Sequence, residues 1–156
     1  MTGVLDGNWF YLQHGAINLP YLEQEKAYVR FEGHPLGLTL EIEMNSTHET
    51  EVPGLLDRID VTIAERFAPE VKQEKIRTRK RKVAGLDGEE AILRSSYRYG
   101  SKTRKTLDFA WLFIGKKDSG EYPEVIIDME SEEGQLEAKT LLWDRMLDSM
   151  KPMYQP

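Results

Sequence analysis

Residues 36–45, LGLTLEIEMN, alternate without a break. Leu36, Leu38, Leu40, Ile42 and Met44 fall on one side, and Thr39, Glu41, Glu43 and Asn45 fall on the other. Successive side chains of a strand point to opposite faces, so this period of two predicts a strand with one face buried and one wet. A sheet with a wet face is usually antiparallel, and that expectation organises the rest of the chain.

Working outward, Ala27 to Glu32 (AYVRFE) alternates too, and Gly33-His34-Pro35 supplies a tight turn, so the two segments predict a hairpin. Trp9 to Ile17 reads as a further strand. Downstream, Val52-Pro53-Gly54 opens a helix, since proline is tolerated in a first turn. Its apolar stripe is Leu56, Ile59, Ile63 and Phe67, with Asp57, Arg58, Asp60 and Glu65 on the wet side and Pro69 as its stop. Alternation then resumes over 74–83, 89–99, 106–114 and 124–130. The expected connections are Leu86-Asp87-Gly88, Gly100-Ser101-Lys102 and the stretch from Gly115 to Pro123. A second amphipathic helix spans about Gly134 to Met150, with Leu136, Thr140, Trp143, Leu147 and Met150 on its stripe and Pro152 ending it. The predicted class is α+β. One domain over 1–156 carries a mostly antiparallel sheet of about six to seven strands, with two amphipathic helices covering or flanking its apolar face.

The stretch RTRKRKVAGLDGEEAILR, residues 77–94, raises the question of nucleic acid. Arg77, Arg79 and Arg81 share one side of a strand, Lys80 and Lys82 the other, and no apolar stripe remains. Such a strand belongs at a sheet edge, where cations discourage stray pairing. Glu89 and Glu90 of the next strand offset those cations, so the stretch reads as a solvated edge hairpin. The formal net charge of −6 and the placing of aromatic residues on apolar stripes argue against a nucleic-acid surface.

Composition narrows the chemistry. The chain is 40% hydrophobic and 31% charged, as expected for a globular domain. Without cysteine there are no disulfides, thiolate metal sites or cysteine nucleophiles. His14, His34 and His48 lack metal-ligand spacing. There is no Gly-x-Ser-x-Gly elbow and no glycine-rich phosphate loop, so no cofactor is expected. No apolar run spans a membrane, and the first residues carry no export signal. Glu41/Glu43, Asp128/Glu130 and Glu132/Glu133 are carboxylate pairs, and a small hydrolase built on strand carboxylates is the weakest alternative. Asn45-Ser46-Thr47 matches a glycosylation sequon, a frequent chance match. A chain with no nucleophile, metal set or cofactor loop is expected to act through its surface and not as an enzyme.

FEGHPLGLTLEIEM, VPGLLDRIDVTIAERF, KVAGLDGEEAILR, LDFAWLFIG, YPEVIIDME and LLWDRMLDSMKP occur in that order. In order and content they resemble the C-terminal domain of the Tli4-type immunity proteins of bacterial type VI secretion systems, over nearly the whole chain from Gly7 to Pro152. AGLDGEE and WDRMLDSMKP are the most specific parts. The resemblance implies a non-enzymatic inhibitor of a Tle4-type phospholipase effector, exported to the periplasm, often lipid-anchored, with a preceding domain beside this one. It implies no catalytic residues. An adaptor that binds a secreted lipase without inhibiting it is the alternative.

Inhibitor interfaces concentrate energy in aromatic and arginine anchors. The turn from Tyr97 to Arg104 carries that mixture, so Arg98, Tyr99 and Arg104 are candidate partner contacts. Glu41 and Glu43 form an acidic strip on another part of the molecule that is expected to act with them.

Overall fold

The computed structural model describes residues 10–12, 15–17, 26–45, 53–59, 71–117 and 122–152. The elements are β1 (Phe10–Leu12), β2 (Gly15–Ile17), β3 (Lys26–Phe31), β4 (Thr39–Asn45), a helical segment α1 at 55–59, β5 (Val71–Val83), β6 (Leu86–Tyr99), β7 (Lys102–Phe113), β8 (Glu124–Glu132) and α2 (Leu136–Ser149). β1 and β2 form a separate two-stranded sheet, so the single strand expected over 9–17 is two short ones.

The main sheet has six strands in the order β3-β4-β8-β7-β6-β5, every neighbouring pair antiparallel. A β3–β4 hairpin and a β5-to-β8 meander join where β8 pairs with β4. That join sets Ile42 opposite Ile127 and Leu40 opposite Met129. The apolar positions of β4, β8 and β7 therefore form one continuous surface, on which α2 lies. Leu107, Phe109, Trp111, Ile127 and Met129 are buried there against Trp143 and Leu147 of α2. The Phe109 and Trp143 rings tilt against each other with centroids 5.7 Å apart. Tilted aromatic pairs of this kind add to plain area burial.

The two helices do not share a face. Middle β6 is apolar on both sides: Ile92 joins the α2 core, while Ala91 and Leu93 face away and meet Leu55, Leu56 and Ile59 of α1. Of the two arrangements expected, helices covering one face or flanking the sheet, the structure has one helix on each face. Ile63 and Phe67, expected to extend the first helix, lie outside the described residues.

The β5–β6 turn also differs from its expectation. Val83 pairs with Leu86, so the loop is Ala84-Gly85, with φ of 50° and 80°. Two positive φ angles give the tight turn whose twist matches the flanking strands. Leu86, Asp87 and Gly88 already lie within β6. Gly88 marks a close approach instead of a turn: a Cβ there would sit 2.4 Å from Cε2 and Cζ2 of Trp111. The Trp111 ring thus packs closely on the backbone at Gly88, and its Nε1 donates to the Arg81 carbonyl at 2.9 Å.

β5 is an edge strand, as its cations predict, but its arginines are not merely solvated: Arg81 is 9% exposed, and Arg77 and Arg79, at 25% and 46%, are tied into an ion-pair cluster. Arg77, Arg79 and Arg81 face α2 and converge on Glu90, whose side chain is fully buried. Arg77 Nε and Arg79 Nε donate to Glu90 Oε1 at 2.8 and 2.9 Å, Arg81 donates to Oε2, and Trp143 Nε1 donates to Oε2 at 3.0 Å. Above them Arg77 grips Asp144 through two hydrogen bonds of 2.6 and 3.2 Å. Arg81 reaches both Asp144 at 2.6 Å and Asp148 at 2.9 Å. Three guanidinium groups thus meet three carboxylates between sheet and helix. Lys82, on the other side of β5, remains exposed.

Candidate functional site

On the face opposite α2 the wet positions of β3, β4, β8 and β7 come together. Register places Arg30 beside Glu41, Glu41 beside Asp128 and Asp108 beside Glu130. These side chains, with Thr39, Arg104 and Glu132, line a shallow trough of about 520 Å³. Each strand contributes one polar residue in two, which is why the lining is continuous although β4 and β8 are far apart in sequence.

Carboxylates outnumber cations in this trough. Arg30 serves Glu32 at 2.5 Å and Glu41 at 2.6 Å. Lys26 holds Glu43 at 2.7 Å, and Arg104 holds Glu132 at 2.9 Å with Glu130 at 3.9 Å. The Lys26 and Asn45 hydrogen bonds keep the Glu43 carboxyl below its ordinary range. Asp108 accepts hydrogen bonds from Ser95 Oγ at 2.7 Å and Thr106 Oγ1 at 3.3 Å.

Asp128 sits between these pairs with no cation of its own among the described residues. The residue is exposed overall but lies within the trough lining. Partial burial of its carboxyl there, followed by the like charges of Glu41, Glu43 and Asp108, pushes its pKa up to about 6. Like charges placed directly opposite each other across strands are destabilising. Because the folded state holds this proton more tightly than the unfolded chain, folding is penalised increasingly as pH rises toward 6, and the penalty is complete above it. Asp128→Asn is accordingly expected to stabilise the chain at pH 7.5, by about 1 kcal/mol once solvent screening is discounted. The gain should shrink to nothing by about pH 4, which thermal melts of the two proteins at both pH values would read.

Four of the five candidate contacts share this side of the sheet. Glu41 and Glu43 line or border the trough. Arg104 stands at its end, opposite Tyr97 in the register, and Tyr99 lies next along the same side of β6, 67% exposed. Arg98 is exposed but alternates onto the α2 side of β6, so it does not join them. Arg30, Asp108, Asp128, Glu130 and Glu132 complete the surface. Their wet-face parity was readable strand by strand, but their neighbourhood depends on the β4–β8 pairing.

His34 occupies the β3–β4 turn, exposed, with Nδ1 accepting from the Leu36 amide at 3.1 Å, while His14 and His48 lie outside the described residues. Among the described residues no three His, Asp or Glu side chains are grouped as metal ligands, and no helix is long and apolar enough to cross a membrane. The trough's chemistry is that of recognition: fixed carboxylates, two anchored arginines and bordering tyrosines.

Residues 10–153 match the family model of the Tle cognate immunity protein 4 C-terminal domain. No curated protein matches. Among solved structures, the chain is similar to the apo immunity protein TplEi of the type VI secretion system of Pseudomonas aeruginosa, with a TM-score of 0.70 and 22% identity over 96% of this chain and 51% of that one. The same immunity protein complexed with a peptide named "L" gives a TM-score of 0.68 at 23% identity, over 96% and 55%. A chain of the Tle4–Tli4 complex gives 0.65 at 24% identity, over 92% and 50%. This chain therefore spans about half the length of the immunity-protein chains that it matches.

Proposed function

This chain belongs to the family of Tle cognate immunity protein 4 C-terminal domains, and from that premise we propose that it is a non-enzymatic immunity domain. It binds a cognate lipase effector of a type VI secretion system and neutralises it by protein–protein contact. The family match over 10–153 is the observation that carries this reading. The similarity to a chain of the Tle4–Tli4 complex supports the same partner class.

The trough face is the contact surface that we assign to it. Tyr99 and Arg104 offer an aromatic and a guanidinium anchor, the residue types that dominate interface energy. Glu41, Glu43 and uncompensated Asp128 offer negative potential to a basic stretch of the partner, which raises the rate and specificity of encounter. The place of action is the periplasm, where an injected lipase meets membrane lipid.

Purified chain titrated into the cognate lipase should co-elute with it and suppress its turnover. Binding with turnover unchanged would make the chain an adaptor, and no binding would remove the reading. Tyr99→Ala and Arg104→Ala should each weaken the complex by about 2 kcal/mol, roughly thirtyfold, with unchanged melting temperature. Arg98→Ala, on the other side of the sheet, should leave affinity as it is. Isothermal titration of the three variants decides whether the trough face is the interface.

A further inference from the structure

We propose that the chain pairs with a second copy of itself along the open edge of β3, in an antiparallel arrangement centred on Val29. This proposal stands apart from effector binding, although Arg30 borders both surfaces.

The two edges of the main sheet are built differently. β5 is protected by a register irregularity between Lys75 and Arg77 and by lysines on its wet side, devices that keep edges from pairing. β3 has neither a bulge nor a cover: among the described residues no strand pairs with its outer side. Three large apolar side chains stand on it in the open, Tyr28 at 50%, Val29 at 47% and Phe31 at 54% exposure. An uncovered edge with exposed apolar side chains is a template for another strand, and the two cations that share this short edge, Lys26 and Arg30, then select its register.

The sequence of β3 specifies which strand. In a twofold antiparallel pair, directly opposed residues share a face, so the centre must fall on a residue. Centred on Val29, Lys26 meets Glu32, Ala27 meets Phe31 and Tyr28 meets Arg30 of the other copy, while Val29 meets itself. Each opposition is favourable: an ion pair, a small residue beside a large one, a cation beside an aromatic ring, and two β-branched side chains. Moving the centre to Tyr28 sets Lys26 against Arg30, and moving it to Arg30 sets that guanidinium against its own copy. Of these three centres, only Val29 avoids opposing cations, and it also pairs every residue from Lys26 to Glu32 within the segment.

Pairing would run the two sheets together into one. It would carry the apolar stripe of Val29, Phe31 and Met44 across the junction on the α2 side, so that exposed apolar surface is covered. Lys26 at the start of β3 and Glu32 just past its end carry opposite charges at 62% side-chain exposure each, so in the pair they would exchange their partners within the chain, Glu43 and Arg30, for each other.

Sedimentation equilibrium of the whole chain over a concentration series tests this. The wild type should show a monomer–dimer equilibrium. Lys26→Glu alone and Glu32→Lys alone should each weaken dimerisation about tenfold or more, since each homodimer then opposes like charges twice. Their equimolar mixture should recover wild-type affinity, because only the mixed pair restores both ion pairs in this register. Near-ultraviolet circular dichroism and the melting temperature at low concentration verify that the variants are folded. A wild type that stays monomeric throughout overturns the proposal. So does a dimer indifferent to both reversals, or a mixture no better than its components.

Discussion

Glu90→Ala is expected to cost about 3–5 kcal/mol, enough to leave a domain of ordinary stability barely folded. The loss comes from what remains behind. Three arginines brought to one point by alternate positions of β5 would keep their charge in a half-dry space with the central carboxylate gone. Trp143 would lose its acceptor as well. Burial alone would raise the Glu90 carboxyl pKa, but hydrogen bonds from Arg81 and Trp143 and the field of Arg77 and Arg81 outweigh it and hold it below the ordinary range. The Asp144 carboxyl is held low by its hydrogen bond to Arg77, against partial burial, with Arg81 adding to the effect. Both groups therefore contribute stability that is complete above their unfolded values and is lost as pH falls through their depressed folded values. Urea melts at pH 7 should show the full loss for Glu90→Ala. An intermediate loss for Glu90→Gln would separate the charge from the hydrogen bonds. A cost below about 1 kcal/mol for the alanine variant would mean that the cluster relaxes into water.

Trp143→Ala carries the second large effect, also about 3–5 kcal/mol, because a fully buried indole is removed from between helix and sheet. Two losses are combined in it: packing on Phe109 and the hydrogen bond to Glu90. Trp143→Phe keeps most of the first and deletes the second, so the difference between the two variants isolates the hydrogen bond, about 1–3 kcal/mol for a charged acceptor. Because Trp143 and Glu90 touch, the costs of their alanine variants should not add, and the double variant measures their coupling. A loss under about 1 kcal/mol for Trp143→Ala would mean that α2 is not docked through this ring.

The alternation over 106–114 put Leu107, Phe109 and Trp111 in the core and that over 36–45 put Leu38 there, but Met44 near the end of β4 is 39% exposed, and Thr106 and Leu112 on the other parity of β7 are buried as well. The α2 stripe was legible from its own period: Trp143 and Leu147 are where a 3.6-residue period puts them. What stayed hidden depends on long-range pairing. That Glu41 neighbours Asp128 follows from β8 entering between β4 and β7, and no local signal specifies that insertion. The Asp-Gly pair at 87–88 resembles a turn because composition cannot distinguish a glycine needed for positive φ from one needed for close approach. The arginines of β5 looked solvated because a strand of charges carries no mark of which side a helix will cover. The β6–β7 turn put Arg98 and Tyr99 side by side in sequence, and their opposite parity sends them to opposite faces of the sheet.

Glu89 and Glu90 are neighbours in the chain and servants of opposite layers. Glu89 Oε2 accepts the Leu56 amide at the start of α1, at 3.0 Å, while Glu90 lies beneath α2. Such a doublet is ambiguous. If β6 slipped by one residue so that Glu89 took the place of Glu90, the arginines would still find a carboxylate, and charge alone would not report the error. The step before it would report it: Asp87 would arrive where Gly88 belongs, and its side chain would strike the Trp111 ring. The residue with no side chain thus guards a frame that the arginines, offered a carboxylate either way, would not themselves distinguish.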